Sequence, residues 1–536
     1  MASYPNLKRW LAAGLTITVF GAVVLFLAIP VAPTNRDLAT AGQVMANWVM
    51  YGGSPTRNMV NTQVKGLPVK WDVDDKTNIK WEADLGSKAY GGPIVADGKV
   101  FIGTNNQKPR DKAYIKDGKP VDLGVLMCFD EAKGNFLWQA VFPKLAAGRV
   151  NDWPLEGLCS TPVVDGDKLY YVSNRCEVVC SETATGKIVW KLDMIGKLGV
   201  FPHNIAAGSP LIVGDDLYVV TANGVDEGHI NVPAPKAPSF VKLAKKDGTV
   251  KWSDNSPTAK LLETPKKGDQ EEFFKRLVNR GDLIQHGQWS NPSYAVIKGQ
   301  PQVVFPGGDG WIYSFTPDGK LLWKFDCNPK DSKYELAGRG TRSDFIATPV
   351  IYKDRVYIAV GQDPEHETGV GHLWCIDMTK KGDVSSELVT DYSIWPPKTK
   401  PNPGSAMVWH YGGPADVKKT GRNYYFGRTM STCAVHDGLC YAAELSGILH
   451  CLDADTGKPY WQHDTKAFTW SSPYWADDKV YFGNDGDTVF VFAHGKDKKV
   501  LAENECGSRV RATPVAANGV LYVMTENKLY AIANKK

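Results

Sequence analysis

The chain of 536 residues carries 62 Lys and Arg against 58 Asp and Glu, a formal net charge of +4. No basic run follows the pattern of a phosphate-binding surface, so nucleic acid is not an expected partner. With 43% hydrophobic residues, 22% charged residues and 17 Trp, the sequence has ample material for a core, and intrinsic disorder is excluded.

At the N-terminus, Lys8-Arg9 precede Leu11 to Ala32, which contain no charge. An apolar stretch of that length behind positive charge reads as a signal-anchor helix. The expected layout is a cytoplasmic N-terminus over residues 1–10, a transmembrane segment over 11–32, a linker over 33–70 and an exported domain over 71–536. That domain would stand on the periplasmic or extracytoplasmic side of the inner (cytoplasmic) membrane. Cleavage after Ala32 would instead release a secreted chain, but Pro33 just beyond that point argues against it.

From residue 71 onward one phrase recurs: a small residue, then Ser, Thr, Asn or Gly, then Pro, followed by an apolar strand, an Asp/Gly turn and a Val/Tyr-rich strand. It stands at Gly91-Gly92-Pro93, Ser160-Thr161-Pro162, Gly208-Ser209-Pro210, Ser290-Asn291-Pro292, Ala347-Thr348-Pro349, Ser471-Ser472-Pro473 and Ala512-Thr513-Pro514. An eighth copy, Ser431-Thr432-Cys433, replaces the proline. The second copy shows the whole unit: strand A over Thr161 to Val164, strand B over Lys168 to Ser173, strand C over Glu177 to Glu182, and strand D ending at Trp190. Such units cannot bury an apolar face alone, so they stack. The predicted fold is all-β, an eight-bladed β-propeller with four-stranded antiparallel blades.

The last copy stops after Leu529-Tyr530-Ala531-Ile532 without a strand D, and Ile79 to Leu85 read as a strand D with no blade of its own. Pairing the two would close the ring and remove its open edge. The tryptophan ending strand D returns as Trp138, Trp252, Trp323 and Trp461, which marks blade-to-blade packing. Cys128, Cys180, Cys375 and Cys451 share one strand-C slot and read as small buried side chains. The pairing of Cys159, Cys176, Cys327, Cys433, Cys440 and Cys506 is left open.

The phrase Leu452-Asp453-Ala454-Asp455-Thr456-Gly457-Lys458 with Trp461, and its relative Thr183-Ala184-Thr185-Gly186-Lys187 with Trp190, resembles the pyrroloquinoline-quinone (PQQ) repeat. The resemblance covers most of residues 71–536. It implies kinship with eight-bladed quinoprotein alcohol dehydrogenases and with non-catalytic propellers of outer-membrane assembly.

In such a ring the A–B and C–D turns lie on one face, the B–C and D–A connections on the other. The short turns belong to the first class. The long insertions 105–124, 223–238 and 361–372 fall between strands B and C, and 143–158, 255–289 and 395–428 fall between blades, so function is expected on that second face. Residues 269–280 would add a short amphipathic helix there as a lid. The candidate binding face comprises His203, His229, His286, Trp289, Asp309, Trp311, Asp363, Glu365, His366, His372 and His410; imidazole and carboxylate together suit a divalent metal, with His366, His372 and Glu365 as candidate ligands. If the chain were a quinoprotein dehydrogenase of alcohols or sugars, PQQ with Ca2+ would be its cofactor and Asp309 its candidate catalytic base. The adjacent Cys-Cys pair and the Cys-x-x-Cys-His haem motif of such enzymes are absent from the sequence. The favoured expectation is a binding or scaffold module of the cell envelope, anchored in the membrane, whose partner is an envelope protein or a glycan.

Overall fold

The computed structural model describes residues 46–146, 151–204, 208–229, 231–259, 286–335, 339–362, 366, 368–391, 394 and 396–534. The apolar stretch 11–32 and the lid expected over 269–280 lie outside the described residues. Among the described residues, no helix is long and apolar enough to cross a membrane.

Eight four-stranded antiparallel sheets span residues 94–143, 163–193, 211–254, 293–326, 350–412, 434–464, 474–505 and 515–532. In the second blade the strands are Val163–Asp165, Lys168–Val172, Glu177–Glu182 and Ile188–Asp193, within two or three residues of their sequence-based limits. The eighth blade takes its outer strand from the other end of the domain: Ile79–Asp84 pairs antiparallel with Lys528–Ile532. The ring is therefore closed by its two termini, and none of its blades is left half-paired.

The repeated Ser/Thr-Pro phrase has a specific use. At seven of the eight copies the residue before the proline slot accepts a hydrogen bond from the backbone N–H at the same position one blade earlier. Gly92 donates to Thr161 Oγ1 (2.9 Å), Thr161 to Ser209 Oγ (2.9 Å), and Ser209 to Asn291 Oδ1. Asn291 then donates to Thr348 Oγ1 (3.4 Å), Thr348 to Thr432 Oγ1 (3.2 Å), Thr432 to Ser472 Oγ (2.9 Å), and Ser472 to Thr513 Oγ1 (2.9 Å). The relay stops at the first blade because Gly92 has no side chain to accept from Thr513. A short polar side chain is required at this slot because the amide is buried and no strand partner is available to it.

A second relay runs along the outer strands. The indoles of Trp81, Trp138, Trp190, Trp252, Trp409 and Trp461 donate to carbonyls of the next blade's C–D turn, at Glu131, Thr183, Lys245, Pro317, Ala454 and Gly495. The glycine of that turn lies flat on the ring: a Cβ on Gly186, at φ +70°, would stand 2.5 Å from Trp138 Cε3. Trp323 departs from the pattern and bonds Gln302 within its own blade.

The fifth blade corrects the sequence-based layout. Its strand D is Met407–Gly412, so Trp409 rather than a residue before 395 fills the tryptophan slot, facing Cys375. The preceding residues, with the hairpin Glu387–Asp391 and Lys398–Pro401, are an insertion between strands C and D, on the turn face. The Pro-Pro pair at 396–397 marks a loop connection, not the start of an interblade crossing. All ten cysteines are buried and free, and burial pushes the Cys128, Cys375 and Cys451 thiols up to about 12.

Residues 46–61, from the stretch expected to be linker, run inside the ring. The segment rises from the turn face, where Ala46 O accepts from Asn518 N–H, and Trp48 bridges Val95 of the first blade. It bonds strand A of blades two, four and five through Val49, Pro55 and Thr56, and blade six through Asn58. It then leaves parallel to strand A of blade seven as Val60–Asn61. At its crest Tyr51 OH meets Thr432 Oγ1 of the relay at 2.8 Å. Fully buried Arg57 donates to the carbonyls of Tyr51, Ser209, Pro210 and Pro292. Burial draws its guanidinium below the usual range. The channel is thus filled from the turn face up to the proline level.

Two stability outcomes follow. Thr161→Val, which keeps the shape but removes the acceptor for Gly92 N–H, lowers unfolding stability by about 1–3 kcal/mol, whereas Thr161→Ser stays within about 1 kcal/mol. Arg57→Met strands four buried carbonyls and costs about 3 kcal/mol or more. Denaturant titration of each variant checks both.

Candidate functional site

The B–C and D–A connections bring their side chains to one face, and three of the candidate histidines meet there. His203 comes from the connection between blades two and three, His229 from the B–C loop of blade three, and His286 from the connection between blades three and four. All three are buried, and each offers a ring nitrogen within 4.8 Å of the others. Ring centroids are 4.3 Å apart for His203 and His286, and 4.7 Å for His203 and His229. His366, from the B–C loop of blade five, stands 5.0 Å from His229.

Glycines make the convergence sterically possible. A Cβ on Gly224 would lie 2.6 Å from Gly287 N, and one on Gly287 would lie 2.5 Å from Ala222 O, so the His229 and His286 loops touch backbone to backbone. Three non-glycine residues here adopt positive φ: Asn204 (61°), Ala222 (62°) and His229 (54°). Strain of this kind costs about 1 kcal/mol or more per residue and gathers where a side chain must be aimed. His203 Nδ1 donates to Val225 O at 2.8 Å, which places the ring's lone pair on Nε2. His286 Nδ1 faces Gly287 O at 3.2 Å and the Asp344 carboxylate at 3.8 Å. Trp289 closes one side, its indole donating to His203 O and its ring 4.5 Å from His286.

The remaining candidates lie elsewhere. His372 pairs with His410, Nδ1 to Nε2 at 2.9 Å, and the His410 ring stacks on Trp374 at 4.0 Å. His372 is buried while His410 is exposed. Asp309 is fully buried: its Oδ2 accepts from Tyr313 OH at 2.7 Å and its Oδ1 from Trp311 N–H at 3.1 Å. Burial, reinforced by that carboxylate, pushes the Tyr313 hydroxyl well above its usual value. Trp311 is buried between blades with the Lys324 and Lys330 ammonium groups over its ring. Asp363 and Glu365 lie outside the described residues.

The family model described as outer membrane protein assembly factor BamB matches residues 122–267 and 402–535, just over half of the sequence. The chain belongs to this PQQ-repeat family. None of the curated proteins matches the sequence significantly. Among solved structures, BamB from Moraxella catarrhalis is 12% identical, with a TM-score of 0.49 over 85% of this chain and 96% of that one. A quinohemoprotein alcohol dehydrogenase from Comamonas testosteroni is also 12% identical, with a TM-score of 0.43 over 92% and 81%.

This PQQ-repeat propeller holds two further groups on the loop face. Three residues before the proline slot, Tyr90, Trp470 and Arg511 converge from blades one, seven and eight. Arg511 lies 4.5 Å over Trp470, donates to Tyr90 OH at 3.1 Å and pairs with Asp485. The repeat register gives this position directly, since Trp289 occupies it in blade four. In blade six, fully buried Glu444 accepts from His450 Nε2 at 2.6 Å and from both arms of Arg422. Burial opposes its charge, but the His450 and Arg422 contacts outweigh that and hold the carboxyl at about 2.

These groups give the propeller separate pH windows. Burial first, then the neighbouring His410, holds His372 down at about 3. The unfolded chain therefore takes up a proton near pH 6.5 that the folded chain refuses, and stability falls as pH drops below 6.5. The loss from His372 is on the order of 2 kcal/mol by pH 5. Glu444 contributes stability above its unfolded value near 4.5, lost as pH falls toward 2. Urea midpoints at pH 7.5 and 5.0 should therefore differ in the wild type, and His372→Phe should flatten that difference.

Proposed function

We propose that this PQQ-repeat propeller is an exported binding module of the cell envelope that engages an envelope protein through its loop face. The observation that carries this is the filled channel. Residues 46–61 occupy it from the turn face up to the proline level, so among the described residues the loop face is the side this segment leaves uncovered. A chain tethered through its N-terminus is held by the turn face, since Ala46 and Asn47 meet Asn518 and Asp97 there. The loop face also carries exposed apolar side chains on its interblade connections, Leu155, Val417, Tyr425 and Phe468, the last 55% exposed. Apolar tips on connecting loops suit protein contact. The family description, outer membrane protein assembly, agrees with an envelope protein as partner.

The quinoprotein reading has less support. Asp309, the residue that would act as base, is buried and directs one oxygen to Tyr313 and the other to the Trp311 amide.

Photo-cross-linking in intact cells tests the proposal. Probes at Tyr425 and Phe468 should give discrete protein adducts, and probes at Leu137 and Val189, exposed on strand D near the turn face, should give none. Adducts from Leu137 and Val189 alone would overturn it.

A further inference from the structure

Of the side-chain clusters in the fold, the histidine group on the loop face has the most defined chemistry, and neither the family nor the binding role accounts for it. Neutral imidazoles repay burial poorly unless their nitrogens are used, and here three meet with a fourth close by. The outer nitrogens of two of them are already oriented. His203 Nδ1 is committed to Val225 O, and His286 Nδ1 faces Gly287 O and Asp344. A carboxylate or carbonyl behind each ligating imidazole is the usual outer shell of a metal-bound histidine. The strained backbone of His229 and the glycine contact between the two loops hold the group together.

We propose that His203, His229 and His286, completed by His366, bind one zinc ion that clamps the loops of blades two to five across the loop face. Zinc–nitrogen bonds of about 2.0–2.1 Å place tetrahedral ligand atoms about 3.3 Å apart, so the 4.8 Å cluster of His203, His229 and His286 closes by small ring rotations, and His366, its ring centred 5.0 Å from that of His229, moves in as the fourth ligand. Four neutral ligands leave the ion's charge uncompensated, and Asp344, 3.8 Å behind His286, supplies the nearest negative charge shown. A four-imidazole set with no thiolate suits zinc, which has no redox chemistry and accepts tetrahedral geometry readily. The site lies on the face of the proposed binding module, but metal uptake by the isolated chain needs no partner, so either reading can fail alone.

The full-length chain, stripped with a chelator and dialysed against Zn2+, should retain one zinc per chain by elemental mass spectrometry and melt at a higher temperature. X-ray absorption of the zinc-loaded wild type should show nitrogen at about 2.0–2.1 Å with imidazole outer-shell scattering. His203→Ala and His286→Ala, if folded by circular dichroism, should lose the zinc. Asp344→Asn should weaken binding about 10–100-fold, and His372→Ala should keep one zinc. A folded wild-type chain that takes up no zinc, or zinc coordinated without imidazole, would overturn the assignment; the absorption spectrum decides it even where a variant fails to fold.

Discussion

The ring stands on one exchange repeated between blades: an amide N–H that no strand can satisfy, and a short polar side chain on the next blade that satisfies it. Strand A is the innermost strand of each blade, and the backbone entering it stands at the crowded axis. The proline slot removes one donor there, and the Ser, Thr or Asn before it answers the donor of the preceding blade. A bond of this kind contributes about 1 kcal/mol each, yet leaving the amide buried and unmet costs more. Register between blades is thereby set at the axis, and the tryptophan relay fixes the same register at the periphery. Two relays at different radii leave each blade little freedom to tilt.

The filled channel follows from the same geometry. The carbonyls of Ser209, Pro210 and Pro292 face the axis with no strand inside them to pair with. Arg57 meets them with donors on a planar group that needs no carboxylate there. Tyr51 reaches the relay itself at Thr432. A buried cation solvated by carbonyls alone is tolerated because those acceptors would otherwise be unmet.

What the sequence revealed and what it hid divide along the same physical line. Features written once per blade were legible: strand order, the shared strand-C cysteine slot, tryptophan packing, and the closure of Ile79–Asp84 onto Lys528–Ile532, because each repeats a local pattern or completes one. Strand D of blade five was missed because a hairpin insertion separates it from strand C. Arg57 has no repeat to betray it, since residues 46–61 follow backbone groups on all eight blades and not a period of their own. His203, His229 and His286 were placed on the right loops, but His410 lies in strand D of blade five and His372 opens its strand C, and the groupings of His203 with His229 and His286, and of His372 with His410, are made by three-dimensional convergence.

A propeller makes such convergence inexpensive in chain entropy. Each loop is anchored at both ends by a rigid blade, so bringing residues 203, 229, 286 and 366 together requires ordering of short connections only, not of the intervening chain. The remaining cost is local and visible: glycine at 224 and 287 where backbones touch, and left-handed backbone at Asn204, Ala222 and His229. Both devices stand where His203, His229 and His286 come together, and they fix the backbone from which those three rings are aimed.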